Sequence, residues 1–309
     1  MTIAVVGSIN LDIVTRSPRL PKAGETLHGS SYATFLGGKG CNQAVAASRL
    51  GSTTHFIGRV GQDGFGQEAL TQLASFGVSR QYVQIDEKTA TGIAVIGVDA
   101  NAENAITVIG GANMALDESD IQRALEPLQA ADILLLQLEI PMAVCEGAAR
   151  LAHNNGATVI FDPAPAPKEG LPDSLLGMID IITPNESETY SLTGILPTNA
   201  LEAEKAANAL HDKGVKAAII KLGAHGVFYS GYGTQGFVKP FKVEAIDSVA
   251  AGDCFNAGLA HSLDCAKAIN SESFAEAVRY AAACGALATT KHGAAPAAPY
   301  AEEVHKLLG

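Results

Sequence analysis

Short apolar runs alternate along the chain with amphipathic, alanine-rich stretches. The runs are nearly continuous in hydrophobic residues, which is typical of strands in a parallel sheet that is covered on both faces. The predicted strands are IAVVGSI (3–9), THFIGRV (54–60), DILLLQL (132–138), TVIFDP (158–163), DIITPN (180–185) and KAAIIKL (216–222). The predicted helices are 41–51, 65–77, 142–156 and 199–214. This alternation predicts a three-layer α/β/α body around a central, mostly parallel sheet.

Two segments depart from the alternation. Residues 13–37 carry no helical pattern, and residues 91–111 contain two apolar β-runs around a polar turn, which is typical of a hairpin. We expect the two segments to form one small β-sheet, a lid that shields the chemistry from water when it closes. A pair of ordinary edge hairpins is the alternative. Because no repeat or linker marks a boundary, we expect one catalytic domain over residues 1–309.

Composition and charge exclude several classes of protein. The 309 residues are 47% hydrophobic and carry a formal net charge of −11, whereas nucleic-acid and membrane-surface partners require a basic patch. The five cysteines show no zinc-like spacing and are expected to be reduced thiols. The first residues indicate a buried strand and no signal peptide, and no apolar run approaches the roughly 18 residues of a membrane helix. We therefore expect a cytoplasmic protein.

The stretch DSVAAGDCFNAG (247–258) places small residues before an aspartate at a predicted helix start. A helix N-terminus presents unpaired N–H groups and the positive end of the helix dipole, so it binds anions. Ala250, Ala251 and Gly252 leave room for a phosphate to reach those amides. Asp253 could then accept a proton from a hydroxyl that attacks the phosphate. An ordinary capping aspartate is the alternative, and the stretch taken alone favours it.

A second glycine-rich cluster, LGGKGCNQAVAA (36–47), surrounds Lys39 and precedes another predicted helix. It differs from a P-loop because Gly40 stands where a serine or threonine would coordinate magnesium. GYGTQG (231–236) matches a dinucleotide fingerprint, but it lies between two β-like runs and predicts a hairpin turn. We therefore expect neither a Walker-type nucleotidase nor a nicotinamide oxidoreductase.

Polar side chains follow several predicted strands. Asn10 and Asp12 are placed at the end of the first strand, and Glu139 follows the third, so all three are expected in the cleft at the carboxyl edge of the sheet. They suit a polyhydroxyl ligand, and turn capping is the ordinary alternative. Asn185 and Glu188 in TPNESE provide oxygen atoms suited to a hydrated magnesium ion. A routine capping arrangement is the favoured alternative for that pair.

Taken in order, these stretches resemble the ribokinase (phosphofructokinase B) family of sugar kinases over essentially the whole chain. The most specific parts are the two family signatures, GGKGCNQAVAASRLG (37–51) and DSVAAGDCFNAGLA (247–260), and ITPNESE and FDPAPA match the same branch. The resemblance implies a Rossmann-like α/β body, a β-sheet lid that pairs two chains in a homodimer, and ATP-dependent phosphorylation of D-ribose at O5. The alternatives are a kinase for 2-deoxyribose or another pentose, and a non-catalytic sugar sensor on the same fold.

The resemblance also implies roles for individual residues. Asp253 corresponds to the catalytic base, and the amides of Ala250, Ala251 and Gly252 to the anion hole. The implied sugar-binding residues are Asn10, Asp12, Gly38, Lys39, Gly40, Asn42, Glu139 and Asp253. The implied ATP contacts are Asn185, Lys221, Leu222, Gly223, Ala224, His225, Gly226, Gly252 and Asp253. Glu188 belongs to a magnesium-associated Asn-x-x-Glu motif, and a potassium site is implied at Asp247, Val249, Ala288, Lys291, Gly293 and Ala297.

Three positions depart from the family pattern. Val249 stands where a second threonine is common, Ala297 where a serine is common, and Ala282 where a polar residue often lies beside the adenine. These departures concern the potassium and adenine sites and leave the expected reaction unchanged. Cys254 is a further candidate, because a thiol beside an anion hole at a helix start could have a lowered pKa. A small packing residue is the alternative and is favoured.

Overall fold

The computed structural model describes residues 2–101, 103–266 and 268–309, and its strands form two β-sheets. The strands are β1 (Thr2–Val6), β2 (Asn10–Arg16), β3 (Ser31–Gly37), β4 (Thr53–Gly61), β5 (Ser79–Asp86), β6 (Gly92–Val98), β7 (Asn104–Ile109), β8 (Ile133–Gln137), β9 (Thr158–Asp162), β10 (Ile181–Ile182), β11 (Ala217–Lys221), β12 (Val227–Gly231) and β13 (Thr234–Val238).

The α-helices connect these strands and close the chain. They are α1 (Lys39–Leu50), α2 (Gly64–Ser75), α3 (Glu118–Arg123), α4 (Leu125–Gln129), α5 (Met142–Asn154), α6 (Asp173–Leu176), α7 (Glu186–Thr193), α8 (Ala200–His211), α9 (Ala251–Cys265), α10 (Ser271–Ala288) and α11 (Ala301–Leu308). Within the described ranges, no helix combines the length and the apolar character needed to cross a bilayer.

The larger sheet has nine strands in the order β13-β12-β11-β10-β9-β8-β1-β4-β5. Neighbouring strands are parallel from β11 to β5, whereas the β11–β12 and β12–β13 pairs are antiparallel. The prediction of a central, mostly parallel sheet is confirmed. Because β11, β10, β9, β8, β1, β4 and β5 are parallel, their carboxyl ends meet along one edge, where open α/β sheets bind ligands. The hairpin predicted at GYGTQG is also confirmed, since it joins β12 to β13.

Each face of the larger sheet is covered by its own hydrophobic core. In β1, Ile3 and Val5 face a core that includes residues of α1, α2, α9 and α10, whereas Ala4 and Val6 face a core that includes residues of α3, α5 and α8. Successive side chains of a strand point to opposite faces, so one apolar strand supplies both cores. This explains why the strand sequences are apolar without alternation.

The smaller sheet has four strands in the order β3-β2-β6-β7. Strands β2 and β3 are antiparallel, β2 and β6 are parallel, and β6 and β7 form the predicted hairpin. The two separated segments therefore supply one separate small sheet, as predicted. That this sheet acts as a lid on a single domain stays a prediction.

One expectation about the first strand is wrong. Asn10 and Asp12 do not end the first strand of the larger sheet, because β1 stops at Val6 and both residues belong to β2 of the smaller sheet. The chain leaves the larger sheet at Gly7, where a Cβ would lie 2.7 Å from the Cα of Gly40. The apolar pattern continues through this break, so it hides the change of sheet.

Candidate active site

Glycines allow the start of α1 to pack against the end of β1. A Cβ on Gly40 would lie 2.6 Å from the Cα of Gly7, and a Cβ on Gly38, which has a φ of +89°, would lie 2.9 Å from the backbone nitrogen of Asn10. No larger residue fits these positions without a shift of the backbone. The contact places Lys39 and Asn42 beside the start of β2. The structure thus gives Gly40 a packing role, and its contact with sugar stays a prediction.

Asp253 does not cap its own helix, so the capping alternative is wrong. The helix α9 begins after Ala250, which makes no side-chain capping bond. Asp253 instead faces α1, where its Oδ2 accepts a hydrogen bond from Asn42 Nδ2 at 2.9 Å and its Oδ1 accepts one from Gln43 Nε2 at 3.1 Å. Only 5% of Asp253 is exposed. Its carboxylate therefore lies between the two glycine-rich helix starts.

The backbone at the start of α9 is strained. Ala250 has a φ of +60°, a left-handed conformation that costs a non-glycine residue on the order of 1–2 kcal/mol. The first helical bond runs from the N–H of Cys254 to the carbonyl of Ala250, so the N–H groups of Gly252 and Asp253 precede it. The N–H of Ala251 donates to the carbonyl of Ser248 at 3.3 Å. The amides of Gly252 and Asp253 therefore have no helical partner, and the expected anion-hole role of the Ala250 and Ala251 amides stays a prediction.

A positive charge lies beside these amides. A Cβ on Gly252 would lie 3.4 Å from Lys221 Nζ, which itself pairs with Asp162 Oδ1 at 3.2 Å. Lys221 ends β11 and Asp162 ends β9, at the carboxyl edge of the larger sheet. Backbone amides at a helix start together with an ammonium group are suited to bind an anion.

Several carboxylates converge on the same region. Burial raises the pKa of Asp12 to about 7, and the charges of Glu139 and Asp253 contribute to the increase. Burial also raises the pKa of Asp253 to about 6, where the charge of Lys39 opposes the increase and that of Asp162 adds to it. These shifts require the sequence-predicted residues Asp12, Glu139 and Asp253 to lie within interaction distance of one another.

Lys39 is the principal counter-charge of these carboxylates. Burial alone would lower its pKa, but the charges of Asp253, Asp162 and Glu139 outweigh burial and raise it. The backbone N–H of Lys39 donates to Glu139 Oε2 at 3.0 Å. The lysine therefore remains protonated over the physiological pH range.

The site contains polar atoms suited to a polyhydroxyl ligand. Within the described part of the chain, the buried Oδ1 of Asn42 has no hydrogen-bond partner. Asn10 Oδ1 accepts a hydrogen bond from Asn113 Nδ2 at 2.7 Å, so the Asn10 amide is left with its NH₂ group for other contacts. A ligand hydroxyl can donate to Asn42 and accept from Asn10.

The sequence analysis missed four residues of this region: Gln43, Asn113, Gln137 and Asp162. All four are buried and polar. Gln43 lies inside a quoted signature, Asp162 lies in the FDPAPA match, and Gln137 is the last residue but one of the predicted strand 132–138. Their positions therefore gave a weak signal. The sequence around Asn113 carries no signal of its role, because its hydrogen bond to Asn10 joins residues 103 positions apart.

Asn185 and Glu188 form the expected capping arrangement at the start of α7. Glu188 Oε2 accepts a hydrogen bond from the N–H of Asn185 at 2.8 Å, and Asn185 Oδ1 accepts one from the N–H of Glu188 at 2.9 Å. Burial first, and the charge of Asp162 next, raise the pKa of Glu188. A cation nearby would relieve both effects, so the capping role and an association with magnesium are compatible.

The predicted ATP segment adjoins this cap. Lys221 pairs with Asn185 in a parallel β-bridge, and residues Gly223–His225 form an exposed 3₁₀ turn. Ala224 and His225 are exposed, whereas Leu222 is buried in the core, so only its backbone can reach a ligand. Gly226, with a φ of +108°, begins the return into β12. The structure thus brings Asn185 and residues 221–226 together.

Most residues of the predicted potassium site also meet. Asp247 Oδ1 accepts a hydrogen bond from the N–H of Val249, and its Oδ2 accepts one from the N–H of Gly293, both at 3.0 Å. The N–H of Lys291 donates to the carbonyl of Ala288 at 3.3 Å. Ala297 is buried and ends the 3₁₀ turn Ala295–Ala297.

The hypothesis of a reactive Cys254 is wrong. Only 1% of the residue is exposed, and burial together with the charge of Asp253 raises the pKa of its thiol. The packing alternative is the correct one, because Cys254 belongs to the core that contains α9.

We predict that Asp12→Asn stabilises the ligand-free protein by a few kcal/mol more at about pH 8 than at about pH 5. An unfolded aspartate ionises near pH 4, whereas Asp12 in the fold has a pKa of about 7. Between these values only the unfolded state has lost the proton, so the stability of the unsubstituted protein falls as the pH rises. Asparagine does not titrate, so the stability of the variant does not fall in this way as the pH rises.

Urea unfolding at both pH values measures this difference. The control is Glu87→Gln, which neutralises an exposed carboxylate and should have the same effect at both pH values. An equal effect of Asp12→Asn at both would contradict the raised pKa.

Comparison with known proteins agrees with this geometry. The family model described as pfkB family carbohydrate kinase matches residues 2–301. A ribokinase of Haemophilus influenzae is 42% identical over 99% of the chain and 98% of the relative, and a deoxyribokinase of Salmonella typhi is 34% identical over 100% and 99%. The structure of Arabidopsis thaliana ribokinase complexed with ribose and ATP superimposes with a TM-score of 0.89 at 34% identity, covering 99% and 98% of the two chains. The chain belongs to the pfkB family of carbohydrate kinases.

Proposed function

We propose that the protein transfers the γ-phosphoryl group of ATP to O5 of D-ribose, giving D-ribose 5-phosphate and ADP. The main support for this proposal is the buried carboxylate of Asp253, which lies at the start of α9 and accepts a hydrogen bond from Asn42 of α1. The ribokinases that resemble this chain over its whole length, one of them with ribose and ATP bound, support the choice of substrates.

The chain's own residues position the sugar. Asp12 and the Oδ1 of Asn42 accept hydrogen bonds from sugar hydroxyls, and the NH₂ group of Asn10 donates to them. Ribose would displace water from a cleft already lined by polar atoms. Asp12 favours a sugar with neighbouring hydroxyls, because a buried carboxylate left without donors is costly.

Asp253 accepts the proton of the 5-hydroxyl as that oxygen attacks the phosphorus. A pKa of about 6 leaves most of the carboxylate ionised at neutral pH while keeping it basic enough to take a proton. Lys39, Lys221 and the amides of Gly252 and Asp253 lie where negative charge develops on the transferred group. The step needs positioning and charge neutralisation more than covalent chemistry.

ATP lies along Asn185 and residues 221–226 in this proposal, with its phosphates directed to the start of α9. Magnesium bound with ATP neutralises phosphate charge, and Glu188 is the carboxylate that would hold it, through water. Among the described residues there is no cluster of three or more metal-ligating side chains. That agrees with magnesium, which keeps most of its waters and binds mainly to substrate phosphates.

A potassium site beside the start of α9 is also proposed. Asp247 joins the loop before α9 to the loop at Gly293 through both its oxygens. A carboxylate together with backbone carbonyl groups suits a monovalent cation, and in this proposal Val249 and Ala297 would contribute carbonyl groups only. The test is the dependence of turnover on added potassium.

A kinase for 2-deoxyribose is the second candidate. The whole-length similarity to a deoxyribokinase of Salmonella typhi favours it. Asp12 favours ribose, since deoxyribose lacks the hydroxyl at C2. A non-catalytic sugar sensor is disfavoured, because sensing alone requires neither Asp253 nor the amides beside it.

We predict that Asp253→Asn lowers kcat with ribose and MgATP on the order of 10²- to 10⁴-fold, because the amide cannot accept the proton. Calorimetric binding of ribose should remain measurable. Coupled detection of ADP release measures the loss. The matched control is Asp264→Asn, which changes a buried carboxyl at the other end of α9 and should retain turnover.

A panel of sugars assayed with and without potassium decides between the candidates. ADP release with ribose at higher kcat/KM than with 2-deoxyribose supports the proposal, and the reverse order supports the deoxyribose kinase. Full activity of Asp253→Asn would contradict the assignment of the base, and no ADP release with any sugar would favour the sensor.

The smaller sheet is proposed as a lid that pairs two chains in a homodimer. Its strands expose apolar side chains with exposed fractions from 38% to 76%: Tyr32, Val95, Ile106, Val108 and Ile109. Every residue of the edge strand β7 is exposed. The strand register puts Ile106 and Val108 on one face of the sheet and the other three side chains on the opposite face. Exposed apolar side chains on a sheet face suit an interaction site.

We predict that Ile106→Asp combined with Val108→Asp converts a dimer into a monomer, because both side chains lie on one face of β7 and a buried carboxylate is unfavourable. Light scattering coupled to size-exclusion chromatography measures the mass. Leu201→Asp, at an exposed apolar residue of α8, is the control and should remain a dimer. A wild-type protein with the mass of one chain would contradict the proposed dimer.

A further inference from the structure

Two buried glutamines lie next to the proposed base. Gln43 is on α1 and Gln137 ends β8, and neither side chain is exposed to solvent. Burying a carboxamide is costly unless its polar atoms find partners. The contacts of this pair are therefore informative about what it does.

Gln43 bridges two carboxylates from different elements. Its Nε2 donates to Asp253 Oδ1 at 3.1 Å and to Asp162 Oδ2 at 3.3 Å. Only the NH₂ half of a carboxamide can donate to two carboxylates, so the chemistry fixes which way the group faces. Gln43 thereby holds α9 and β9 together through their acidic side chains.

Gln137 fixes the orientation of Gln43. Gln137 Nε2 donates to Gln43 Oε1 at 2.7 Å. A Cβ on Gly7 would lie 2.1 Å from Gln137 Oε1, which has no hydrogen-bond partner in the described residues. The Gln137 carboxamide is thus packed against the backbone at Gly7. Its donor points towards Gln43, and the donor of Gln43 points towards the two carboxylates.

The charged surroundings make this hydrogen bond important for Asp253. The groups facing its carboxylate are Lys39 on α1, Asp162 on β9, Asp12 on β2, and the thiols of Cys41 and Cys254. Burial and Asp162 raise the pKa of Asp253, whereas Lys39, Asn42 and Gln43 lower it. Burial raises the pKa of both thiols, so they carry no charge near neutral pH.

We propose that Gln43, oriented by Gln137, is a positioning residue that holds the Asp253 carboxylate in the orientation needed to accept the substrate's proton. It acts through Asp253 and does not touch the reacting atoms. The inference rests on the proposed kinase function. Without the donor, Asp253 and Asp162 would repel each other across a dry gap, and Asp253 would bind its own proton more tightly.

The test is the pH dependence of kcat/KM for D-ribose with saturating MgATP, from about pH 5 to about pH 9. Activity falls on the acidic side as Asp253 becomes protonated. A charge-assisted hydrogen bond contributes roughly 1.5–3 kcal/mol, so Gln43→Met should move this acidic limb upwards by about one to two pH units. Gln137→Met should move it in the same direction by less, because Gln43 keeps its donor but loses its fixed orientation.

The matched control is Cys145→Ala. The Cys145 thiol is fully buried and donates to the backbone carbonyl of Gln137 at 3.3 Å, so its hydrogen bond is to the main chain and not to a carboxamide. This variant perturbs the packing around β8 and should leave the acidic limb where it is. If Gln43→Met does not fold, Gln137→Met with the same control still tests the inference.

An active wild type whose Gln43 and Gln137 variants lose rate by the same factor at every pH would overturn the inference alone, because a structural defect has that signature. An equal shift in Cys145→Ala would overturn it as well. A wild type that releases no ADP with ribose would overturn the proposed function and, with it, this inference.

Discussion

The packing of α1 against α9 around one buried carboxylate is the contact on which the rest of the site depends. Asn42 and Gln43, on successive positions of α1, each donate to one oxygen of Asp253. This contact requires the glycines that let α1 approach β1, and the left-handed Ala250 that turns the chain into α9. Both glycine-rich signatures are therefore parts of one structural unit, although about 200 residues separate them.

The site concentrates more negative than positive charge. Asp12, Glu139, Asp162, Glu188 and Asp253 share the region with Lys39 and Lys221. Burial and mutual repulsion raise the pKa values of Asp12, Glu188 and Asp253, so the ligand-free site costs stability. Sugar hydroxyls and a divalent cation would supply the missing donors and positive charge. The same imbalance that destabilises the empty site thus favours the proposed substrates.

The sequence predicted what depends on local pattern and missed what depends on distant contacts. Continuous apolar runs predicted the parallel sheet, and two exceptional segments predicted the smaller one. The apolar pattern could not locate the break at Gly7, so Asn10 and Asp12 were assigned to the wrong sheet. The roles of Gln43, Asn113 and Gln137 depend on hydrogen bonds to residues about 100 to 200 positions away in the sequence. Burial confirmed the favoured packing role of Cys254 and excluded the reactive thiol.

The fold holds Asp253 as a buried carboxylate that titrates close to neutral pH. Infrared difference spectra between the unsubstituted protein and Asp253→Asn, recorded across pH without ligands, isolate the ionisation of this one carboxyl group. We expect the carboxylate band to titrate with a pKa of about 6. A pKa near the ordinary value of about 3.9 would contradict it.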